Sequence, residues 1–299
     1  MPQGRSYIQS SLNSNIILRM SSSTVSIVAI AGITGKLGQL IAKAVLGYPQ
    51  ANIRGFCRDQ SKLSPDLSSD PRVTILQGSG DDPAAARKTV QGSDVVICAY
   101  LGPNDFMVQS QKILIDAAEA EKVPRYIASD WALDYTKLKL GDLPPKDPMI
   151  EIKAYLETKK DIKAVHILNG AFMQLVQMAF QQDPVGYWGS GDEKWDFTSY
   201  ETCAEYTAAI AMDPSAVGVI KGPFPNPPPP NPCPHFRQKV PITHTVRGDR
   251  VSFKESADIF TKQTGKKPNM KQLGTQAELR EKMDEAREKG EIGWPNVML

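Results

Sequence analysis

Three glycines, Gly32, Gly35 and Gly38, lie three residues apart directly after the apolar run VSIVAIAG. The run has the composition of a buried strand, and an amphipathic helical pattern begins at Gly35. In such a corner one glycine permits a tight turn, a second lets the backbone approach a ligand, and a third lets the helix pack close to the strand. Because amides at a helix N-terminus attract anions, the pattern predicts a corner that binds the diphosphate of a dinucleotide. A strand-to-helix turn without a ligand is the alternative.

The predicted contacts of this corner include the residues around the glycines. The candidate set is Gly32, Thr34, Gly35, Lys36, Leu37 and Gly38. Within this set, the Thr34 hydroxyl can cap the helix or contact a phosphate. The helix is predicted to pack on the sheet through an apolar stripe at helical spacing. That stripe consists of Leu37, Leu40, Ile41, Ala44 and Val45.

The end of the second predicted strand, NIRGFC, selects between two related cofactors. A carboxylate at this point binds the ribose diol of NAD, whereas a positive charge favours the 2′-phosphate of NADP. The strand runs directly into Arg58, with Asp59 next and Lys62 one turn later. Since a guanidinium pairs well with phosphate oxygens and also stacks on adenine, we expect NADP, used as NADPH. Asp59 argues for NAD instead, and Lys62 can equally be an ordinary surface charge.

Two further predicted strands end in residues that are placed for binding. ICAYLGP brings Ala99, Tyr100 and Leu101 to the carboxyl end of the fourth strand, and IASDW brings Ser129 and Asp130 to the end of the fifth. Ligands of open α/β sheets bind at this edge. These five residues are therefore predicted to lie beside the cofactor.

The elements that position these residues alternate between short apolar runs and helical patterns from Val25 onward, which is typical of βαβ units. The predicted strands are VSIVAIAG, NIRGFC, VTILQG, DVVICAY, RYIASDW and AVHILNG, and the predicted helices cover residues 35–46, 83–91, 105–121 and 148–158. We therefore expect an α/β fold, with a Rossmann-type doubly wound parallel sheet over residues 24–170.

Beyond Gly170 the alternation becomes irregular, which predicts a smaller C-terminal α/β substrate-binding lobe over residues 171–299. YWGSGDEKWDF indicates a turn-rich hairpin, SYETCAEYTAAIAMD a helix, and GTQAELREKMDEAREKGEIG a charged amphipathic helix. Another helix is predicted to be capped by Ser252, with Glu255 three residues later. The apolar segment 171–180, with Trp188 and Trp195, lines a substrate pocket or belongs to the core.

Residues 222–234, GPFPNPPPPNPCP, contain too few amide donors for a helix or a central strand. They predict a polyproline-like surface loop, either a spacer or a ligand for a proline-reading module. Residues 1–23 contain Arg5 and Arg19 but no acid, which is typical of a weak mitochondrial presequence. A disordered extension, or a start that belongs at Met20, is the simpler interpretation.

Composition excludes several classes of protein. The 299 residues carry a formal net charge of +2 with interspersed signs, which disfavours nucleic-acid binding. No apolar run reaches the roughly 20 residues that span a membrane, so we expect a soluble, cytoplasmic protein. The cysteines form no Cys-x-x-Cys pair and the histidines show no ligand spacing, which predicts reduced thiols and no metal site. They are Cys57, Cys98, Cys203, Cys233, His166, His235 and His244, with His166 most simply a strand residue.

Taken in order, the motifs resemble those of the NmrA-like family, atypical short-chain dehydrogenases that include isoflavone reductase-like enzymes. The motifs are AGITGKLG, RDQSKL, GSDVVICAYLG, VPRYIASDWALDY, ILNGAFM and VRGDRVSFKESADIFTKQTGKK. The segment SDWALDYTKL is similar to the fungal branch. The resemblance implies NADPH in the N-terminal domain and a small aromatic or polyketide-like substrate between that domain and the residues after Gly170.

The resemblance also implies a catalytic lysine at the start of the helix after the fifth strand. When Ile152 and Leu156 serve as the apolar anchors, that position is occupied by Met149. Lys153 lies four residues later on the same helical face, and Lys146 precedes the helix, so each is a candidate for the lost role. A lysine that is desolvated near the nicotinamide would have a lowered ammonium pKa and could act as an acid or a base.

Tyr135 and Lys139 match the Tyr-x-x-x-Lys pair of ordinary short-chain dehydrogenases, in which the lysine lowers the tyrosine pKa. In that class the pair lies on one long helix well beyond the fifth strand's serine. Here Tyr135 follows Ser129 by six residues, and LGDLPPKDP interrupts any helix after Lys139. Tyr135 nevertheless remains a candidate hydrogen-bond donor near the nicotinamide.

These residues support three functions. The first is an NADPH-dependent reductase of a small aromatic or polyketide-like carbonyl or enone. The second is a catalytically inactive NADP-binding regulator that acts through protein partners, as the departure at Met149 suggests. The third is a redox-neutral enzyme, such as an isomerase, that keeps the cofactor.

Overall fold

The computed structural model describes residues 24–221 and 249–289. Several predictions made from the sequence fall outside these residues. They concern the extension 1–23, the loop 222–234, Cys233, His235 and His244.

The described chain forms one large parallel sheet of seven strands. They are β1 (Ile27–Ala31), β2 (Asn52–Cys57), β3 (Val73–Gln77), β4 (Val95–Cys98), β5 (Arg125–Ile127), β6 (Lys163–Leu168) and β10 (Gly218–Lys221). Their spatial order is β10-β6-β5-β4-β1-β2-β3, so the chain builds outward from β1 in one direction and then from β4 in the other. Such a reversal opens a crevice at the carboxyl ends of the two central strands.

Helices cover both faces of this sheet. The helices of the described residues are α1 (Lys36–Leu46), α2 (Pro65–Ser69), α3 (Pro83–Val90), α4 (Asn104–Ala120), α5 (Asp147–Glu157), α6 (Met173–Ala179), α7 (Tyr200–Met212), α8 (Phe253–Thr264) and α9 (Gln276–Glu288). Ile41 of α1 and Cys203 of α7 belong to the core on one face, and Leu114 of α4 and Ile152 of α5 belong to the core on the other. The predicted doubly wound α/β fold is confirmed.

The apolar stripe of α1 explains how this helix packs. Ile41 and Val45 are fully buried, and Leu37, Leu40 and Ala44 pack against the same core. In the same core α1 packs against α7, which comes from beyond residue 170. Strand β10 also comes from beyond residue 170 and extends the main sheet, although the sequence pattern gave no indication of it. The division of the chain at residue 170 stays a prediction.

The remaining strands form two small sheets. They are β7 (Ala171–Phe172), β8 (Val185–Trp188), β9 (Lys194–Thr198), β11 (Asp249–Ser252) and β12 (Met270–Gly274). The predicted hairpin over 187–197 is wrong, because β8 pairs with β12 whereas β9 pairs with β7 and β11. In the turn between β8 and β9, the Glu193 carboxylate accepts hydrogen bonds from the amides of Ser190 (2.9 Å) and Gly191 (2.9 Å). Gly189 instead donates its amide hydrogen to Gly274, at the end of β12.

The start of α8 was predicted correctly. The Ser252 hydroxyl accepts from the Glu255 amide (3.1 Å), and the Glu255 carboxylate accepts from the Ser252 amide (2.7 Å), which together form a capping box.

Within the described residues, Cys57, Cys98 and Cys203 are buried and unbonded to one another. No cluster of three or more histidine, cysteine, aspartate or glutamate side chains in these ranges has the arrangement of a metal site. No helix there is both long and apolar enough to cross a membrane.

Candidate active site

The glycine corner lies between the carboxyl ends of β1 and β4. Gly32 has a φ of +80°, and a Cβ at this residue would lie 2.5 Å from the Ala99 carbonyl oxygen. A Cβ on Gly38 would lie 2.3 Å from the Gly32 carbonyl oxygen. Because backbone atoms occupy both positions, the turn and the close approach of α1 each require glycine.

The N-terminus of α1 is open toward the edge of the sheet. Gly35 is the N-cap in an extended conformation without a side-chain cap, so the predicted capping role of Thr34 is wrong. The first amide of this region that bonds within the helix is that of Gln39, which donates to Gly35 (2.9 Å). The amides of Lys36, Leu37 and Gly38 precede that bond, as first-turn amides do in every α-helix. With no acidic side chain in the first turn, these donors suit an anion.

The loop after β2 brings positive charge toward this corner. Arg58 and Lys62 are exposed. The carboxylate of Asp59, which argued for NAD, accepts hydrogen bonds from the Ser61 hydroxyl (2.7 Å) and the Ser61 amide (3.0 Å). These bonds lower the pKa of Asp59. Asp59 is thus engaged in its own short 3-10 turn, which weakens the case for a ribose-binding carboxylate.

The residues that follow β4 and β5 meet at the carboxyl edge as predicted. The Ser129 hydroxyl donates to the Tyr100 carbonyl (2.7 Å) and ties the two strand ends together. Ala99 contacts the glycine corner, as its distance from Gly32 indicates. The Tyr100 ring packs against Phe106, while the Leu101 side chain is 86% exposed. An apolar side chain this exposed, beside the corner, is available for contact with a ligand.

The Asp130 side chain is buried at the end of β5 and meets two other side chains. Its Oδ2 atom accepts a hydrogen bond from the Tyr135 hydroxyl (3.0 Å) and lies 2.8 Å from His166 Nδ1. The Tyr135 hydroxyl and His166 Nδ1 are 3.1 Å apart. All three side chains are buried, with 5%, 0% and 2% of Asp130, Tyr135 and His166 exposed. We call this group the Asp130 network.

The residue after Asp130 is backbone-strained. Trp131 is a non-glycine residue with a φ of +35°, a conformation that costs free energy and persists only where neighbours enforce it. Its indole N–H donates to the Thr207 hydroxyl (2.9 Å) in α7. The strain is thus held by a specific contact at the end of β5.

Lys146 is the candidate lysine whose ammonium group is influenced by the charge of Asp130. It lies in a short 3-10 turn, Pro144–Lys146, directly before α5 and is partly buried. Burial lowers the pKa of its ammonium group, and the Asp130 carboxylate partly opposes that change. An ammonium group that burial makes more acidic gives up its proton more readily than one in water.

The other two catalytic candidates have different surroundings. Lys153 forms an i,i+4 ion pair with Glu157, whose side chain is 62% exposed. Tyr135 lies in the 3-10 turn Tyr135–Lys137, and no helix of the described chain carries both Tyr135 and Lys139. Burial and the nearby Asp130 carboxylate raise the pKa of Tyr135, which is opposite to the change that the Tyr-x-x-x-Lys pair requires. Met149 lies in the first turn of α5 and is partly exposed.

A stacked aromatic pair lies beside the first turn of α1, which follows the glycine corner. The Phe172 and Tyr200 rings stack with centroids 4.0 Å apart and an interplanar angle of 12°. The Lys36 ammonium lies 4.2 Å from the centroid of the Tyr200 ring. Lys36 therefore joins the first turn of α1 to the aromatic pair. The predicted pocket residues farther along are divided: Phe180 is buried, whereas Trp195 is 48% exposed and Met178 is 63% exposed.

Sequence reasoning missed His166 as a member of the site. Its surroundings in the chain, KAVHIL, are those of a buried strand, and the strand assignment is confirmed. The partner aspartate lies 36 residues earlier. Only the pairing of β5 with β6 brings the two residues together, so no local signal indicated the contact.

Comparison with known proteins identifies relatives. The chain is 25% identical over 207 residues to isoeugenol synthase 1 of Clarkia breweri, a match that covers 62% of this chain and 63% of the relative. It is 31% identical over 80 residues to oxidoreductase ordB of Dothistroma septosporum, covering 26% of this chain and 30% of the relative. The matched segments span less than two thirds of either relative.

The fold is similar to that of the NADPH-dependent quinone oxidoreductase QOR2 of Escherichia coli, whose structure was solved in complex with NADPH. The TM-score is 0.65 at 18% identity, covering 83% of this chain and 78% of that chain. The sequence also matches the model of the NmrA-like family over residues 24–226. That match extends over more than half of the chain and confirms the resemblance carried by the motifs. The chain belongs to the NmrA-like family.

Proposed function

We propose that this protein is an NADPH-dependent reductase of small aromatic or polyketide-like carbonyl or enone compounds. The observation that carries the proposal is the glycine corner, where Gly32 and Gly38 have no room for a side chain and the first amides of α1 remain open. A backbone shaped in this way suits a diphosphate that binds through amide hydrogen bonds. When bound, NADPH supplies the hydride.

Binding of NADPH is assigned to residues on four segments. Gly32, Thr34, Gly35, Lys36, Leu37 and Gly38 would hold the diphosphate, Arg58 and Lys62 the 2′-phosphate, and Ala99, Tyr100, Leu101, Ser129 and Asp130 would border the remainder of the cofactor. The choice of NADP over NAD rests on two exposed cations in the loop after β2 and on the engagement of Asp59 with Ser61. QOR2, whose fold is similar, was solved with NADPH, which supports the choice.

Lys146 is proposed as the proton donor. Reduction of a carbonyl or an enone needs one proton in addition to the hydride, and a desolvated ammonium gives up its proton more readily than one in water. Of the three candidates, Lys146 combines partial burial with the electrostatic effect of Asp130. Tyr135 is fully buried and already donates to Asp130, so its assigned role is to hold that carboxylate in position.

Aromatic substrates are favoured by the surfaces next to the corner. The stacked rings of Phe172 and Tyr200 and the exposed Leu101 side chain offer apolar surfaces that an aromatic substrate can contact. Two relatives are named isoeugenol synthase and oxidoreductase, and QOR2 is named a quinone oxidoreductase. These names are consistent with reduction of small unsaturated or aromatic compounds.

The proposal is tested by binding and by turnover. NADPH and NADH are titrated by fluorescence, and loss of NADPH absorbance is followed with aromatic ketones, quinones and enones. Gly38→Ala should weaken NADPH binding at least about 100-fold, because its methyl group would displace the Gly32 carbonyl and with it the turn. Arg58→Ala, which leaves the backbone intact, should weaken NADPH about tenfold while NADH binding changes little.

Gly47→Ala, at the other end of α1, is the matched control. Gly47 has a right-handed conformation that alanine adopts readily, and it lies far from the corner. Unaltered NADPH affinity in a folded Gly38→Ala variant would refute the assignment of the diphosphate to this corner.

A second function is favoured by one observation, the methionine at position 149 where the family's reductases carry a lysine. In this alternative the protein binds NADP and regulates a protein partner without turnover. Tight NADPH binding with no reduction across the substrate panel, in the wild-type protein, would support it over the reductase.

A further inference from the structure

We propose that Gln39 determines the preference for NADP by holding the Arg58–Lys62 loop at a fixed distance from the glycine corner. This inference rests on the proposed binding of NADPH. It adds a positioning residue that touches neither phosphate group in the assignment above. Its action is instead to fix the spacing between the two sites that receive them.

One side-chain amide joins three backbone positions. Gln39 Nε2 donates to the Thr34 carbonyl (3.1 Å) and to the Lys62 carbonyl (3.4 Å). Gln39 Oε1 accepts from the Ser64 amide (2.9 Å). Thr34 belongs to the diphosphate corner, whereas Lys62 and Ser64 belong to the loop after β2. The glutamine is therefore a direct bridge between the two.

The chemistry of the three partners specifies an amide of this length. Two carbonyl oxygens need donors and one backbone amide needs an acceptor, and a glutamine side chain supplies both at once. A glutamate cannot donate, and a leucine can do neither. The geometry also fixes which end of the amide is nitrogen, since only one orientation satisfies all three partners.

The loop depends on this bridge because its cations are not anchored by burial. Arg58 and Lys62 are exposed, and their positions follow the backbone that carries them. Other contacts of the loop are the Asp59–Ser61 turn, a bond from the Gln60 amide to Gln77 Oε1 (3.2 Å), and the buried Leu63 side chain, which joins the same core as α1. Leu63 keeps the loop on this core, whereas the Gln39 bonds reach the diphosphate corner itself through the Thr34 carbonyl. Without them no side-chain hydrogen bond of Gln39 fixes the spacing between the loop cations and the corner.

The consequence falls on NADP alone. NADP carries a diphosphate and a 2′-phosphate on one molecule. Both groups can bind at once only if the spacing between the glycine corner and the loop cations matches the spacing between the two groups. NADH has no 2′-phosphate and makes no demand on the loop cations. Loss of the bridge should therefore act on the 2′-phosphate rather than on the whole cofactor.

The experiment compares two pairs of ligands that differ only by a 2′-phosphate: NADPH with NADH, and adenosine 2′,5′-bisphosphate with adenosine 5′-monophosphate. For Gln39→Leu we expect affinity for the two 2′-phosphorylated ligands to fall about tenfold. Affinity for NADH and adenosine monophosphate should change less than about twofold. Gln39→Glu, which keeps the acceptor but loses both donor bonds, should show a loss at least as large.

Lys43→Leu is the matched control. Lys43 lies one turn further along α1 and also reaches the segment after the loop, through an ion pair with Asp66 (2.8 Å) between exposed side chains. Its removal breaks a contact between the same two parts of the chain without touching the backbone of the loop. We expect no change in the ratio of NADPH to NADH affinity.

Equal loss of NADPH and NADH in the folded Gln39 variants would overturn the inference, because Gln39 would then support the corner alone. Unchanged affinities, or wild-type affinity in Gln39→Glu, would overturn it as well. Failure of the wild-type protein to bind NADPH or adenosine bisphosphate would refute the proposed function itself. The wild-type measurement therefore separates the two claims.

Discussion

A buried charged residue lies at each end of β5. The two side chains have different kinds of hydrogen-bond partner. At the amino end, Arg125 is 2% exposed. Its guanidinium donates to the carbonyls of Asp213 (2.7 Å), Ile210 (3.1 Å) and Ala211 at the carboxyl end of α7. These are the carbonyls that a helix leaves without partners, and they carry the negative end of its dipole. Arg125 therefore serves as a cap that secures α7 to the sheet.

At the carboxyl end, Asp130 is 5% exposed and meets side chains instead of backbone. Tyr135 and His166 contact its Oδ2 atom, and its charge acts on Lys146. Its partners are side chains, whereas the partners of Arg125 are backbone carbonyls. A buried charge among fixed dipoles stabilises the fold, and a buried charge among titratable groups can support proton transfer.

The largest expected effect is at the carboxyl end. Lys146→Met should lower kcat/KM for reduction of an aromatic carbonyl about 10³-fold, because loss of a general acid costs about 10² to 10⁴. Thermal unfolding should show that the variant is folded. Affinity for NADPH should change less than about twofold. Steady-state kinetics, thermal unfolding and fluorescence titration provide the three measurements.

Lys153→Met is the control for this substitution. Lys153 lies in the same segment, but its ion pair with Glu157 is exposed, and such i,i+4 pairs contribute only about 0.3–0.5 kcal/mol. Its loss should leave kcat/KM within about twofold of the wild-type value. If kcat/KM fell strongly in Lys153→Met while Lys146→Met stayed active, the catalytic role would belong to Lys153 instead.

The second effect tests the amino end. Arg125→Met should lower the free energy of unfolding by about 3 kcal/mol, because it leaves buried carbonyls of α7 without donors. Under conditions where the variant is folded, its NADPH affinity and kcat/KM should match those of the wild-type protein. Urea denaturation measures the first quantity. A substantial loss of turnover in the folded variant would show that the amino end is not purely structural.

The contrast also explains how much the sequence could predict. The glycine corner was predicted because all its residues lie within seven positions, and a strand followed by a turn and a helix leaves a local pattern. The main strands were predicted for the same reason, and NIRGFC matches β2 residue for residue. Strand β10 was missed because GVIK is only four residues long and is preceded by a turn.

Contacts between distant segments were not available from the sequence. The pairing of His166 with Asp130 depends on β5 lying next to β6, and the choice between Lys146 and Lys153 depends on what surrounds each ammonium. Helical spacing predicted that Lys153 lies on the same face of the helix as Met149. In the structure its ammonium group forms an ion pair with Glu157, four residues later. The false hairpin has the same origin, since β8 has its partner in β12, more than eighty residues later in the chain.

The third prediction concerns the pH dependence of the carboxyl end. Burial lowers the pKa of Lys146 below its ordinary 10.5, and the Asp130 carboxylate opposes this effect. Only the protonated ammonium can donate, so kcat/KM should fall as pH rises through the lowered pKa. Asp130→Asn removes the opposing charge, which lowers the pKa further and should move this alkaline limb toward acid pH.

Tyr135→Phe is the comparison for that shift. It removes the hydroxyl that donates to Asp130 but keeps the carboxylate charge, so the alkaline limb should move much less than in Asp130→Asn. The measurement is kcat/KM across the pH range for both variants. A limb that moves toward alkaline pH in Asp130→Asn, or that moves equally in both variants, would exclude Asp130 as the charge that acts on Lys146.

The smallest expected effect is again at the amino end, beside Arg125. Asp94 Oδ2 accepts hydrogen bonds from the backbone amides of Ser26 (2.8 Å) and Ile27 (2.9 Å), which secure the first residues of β1. Asp94→Ala should lower the free energy of unfolding by about 1 kcal/mol, since these bonds are partly exposed. Asp94→Asn keeps one acceptor oxygen and should recover part of that loss, with NADPH affinity and the alkaline limb unchanged in both variants. If Asp94→Ala instead moved the pH profile of kcat/KM, charges at the amino end would influence proton transfer at the carboxyl end, and the separation between the two ends of β5 would fail.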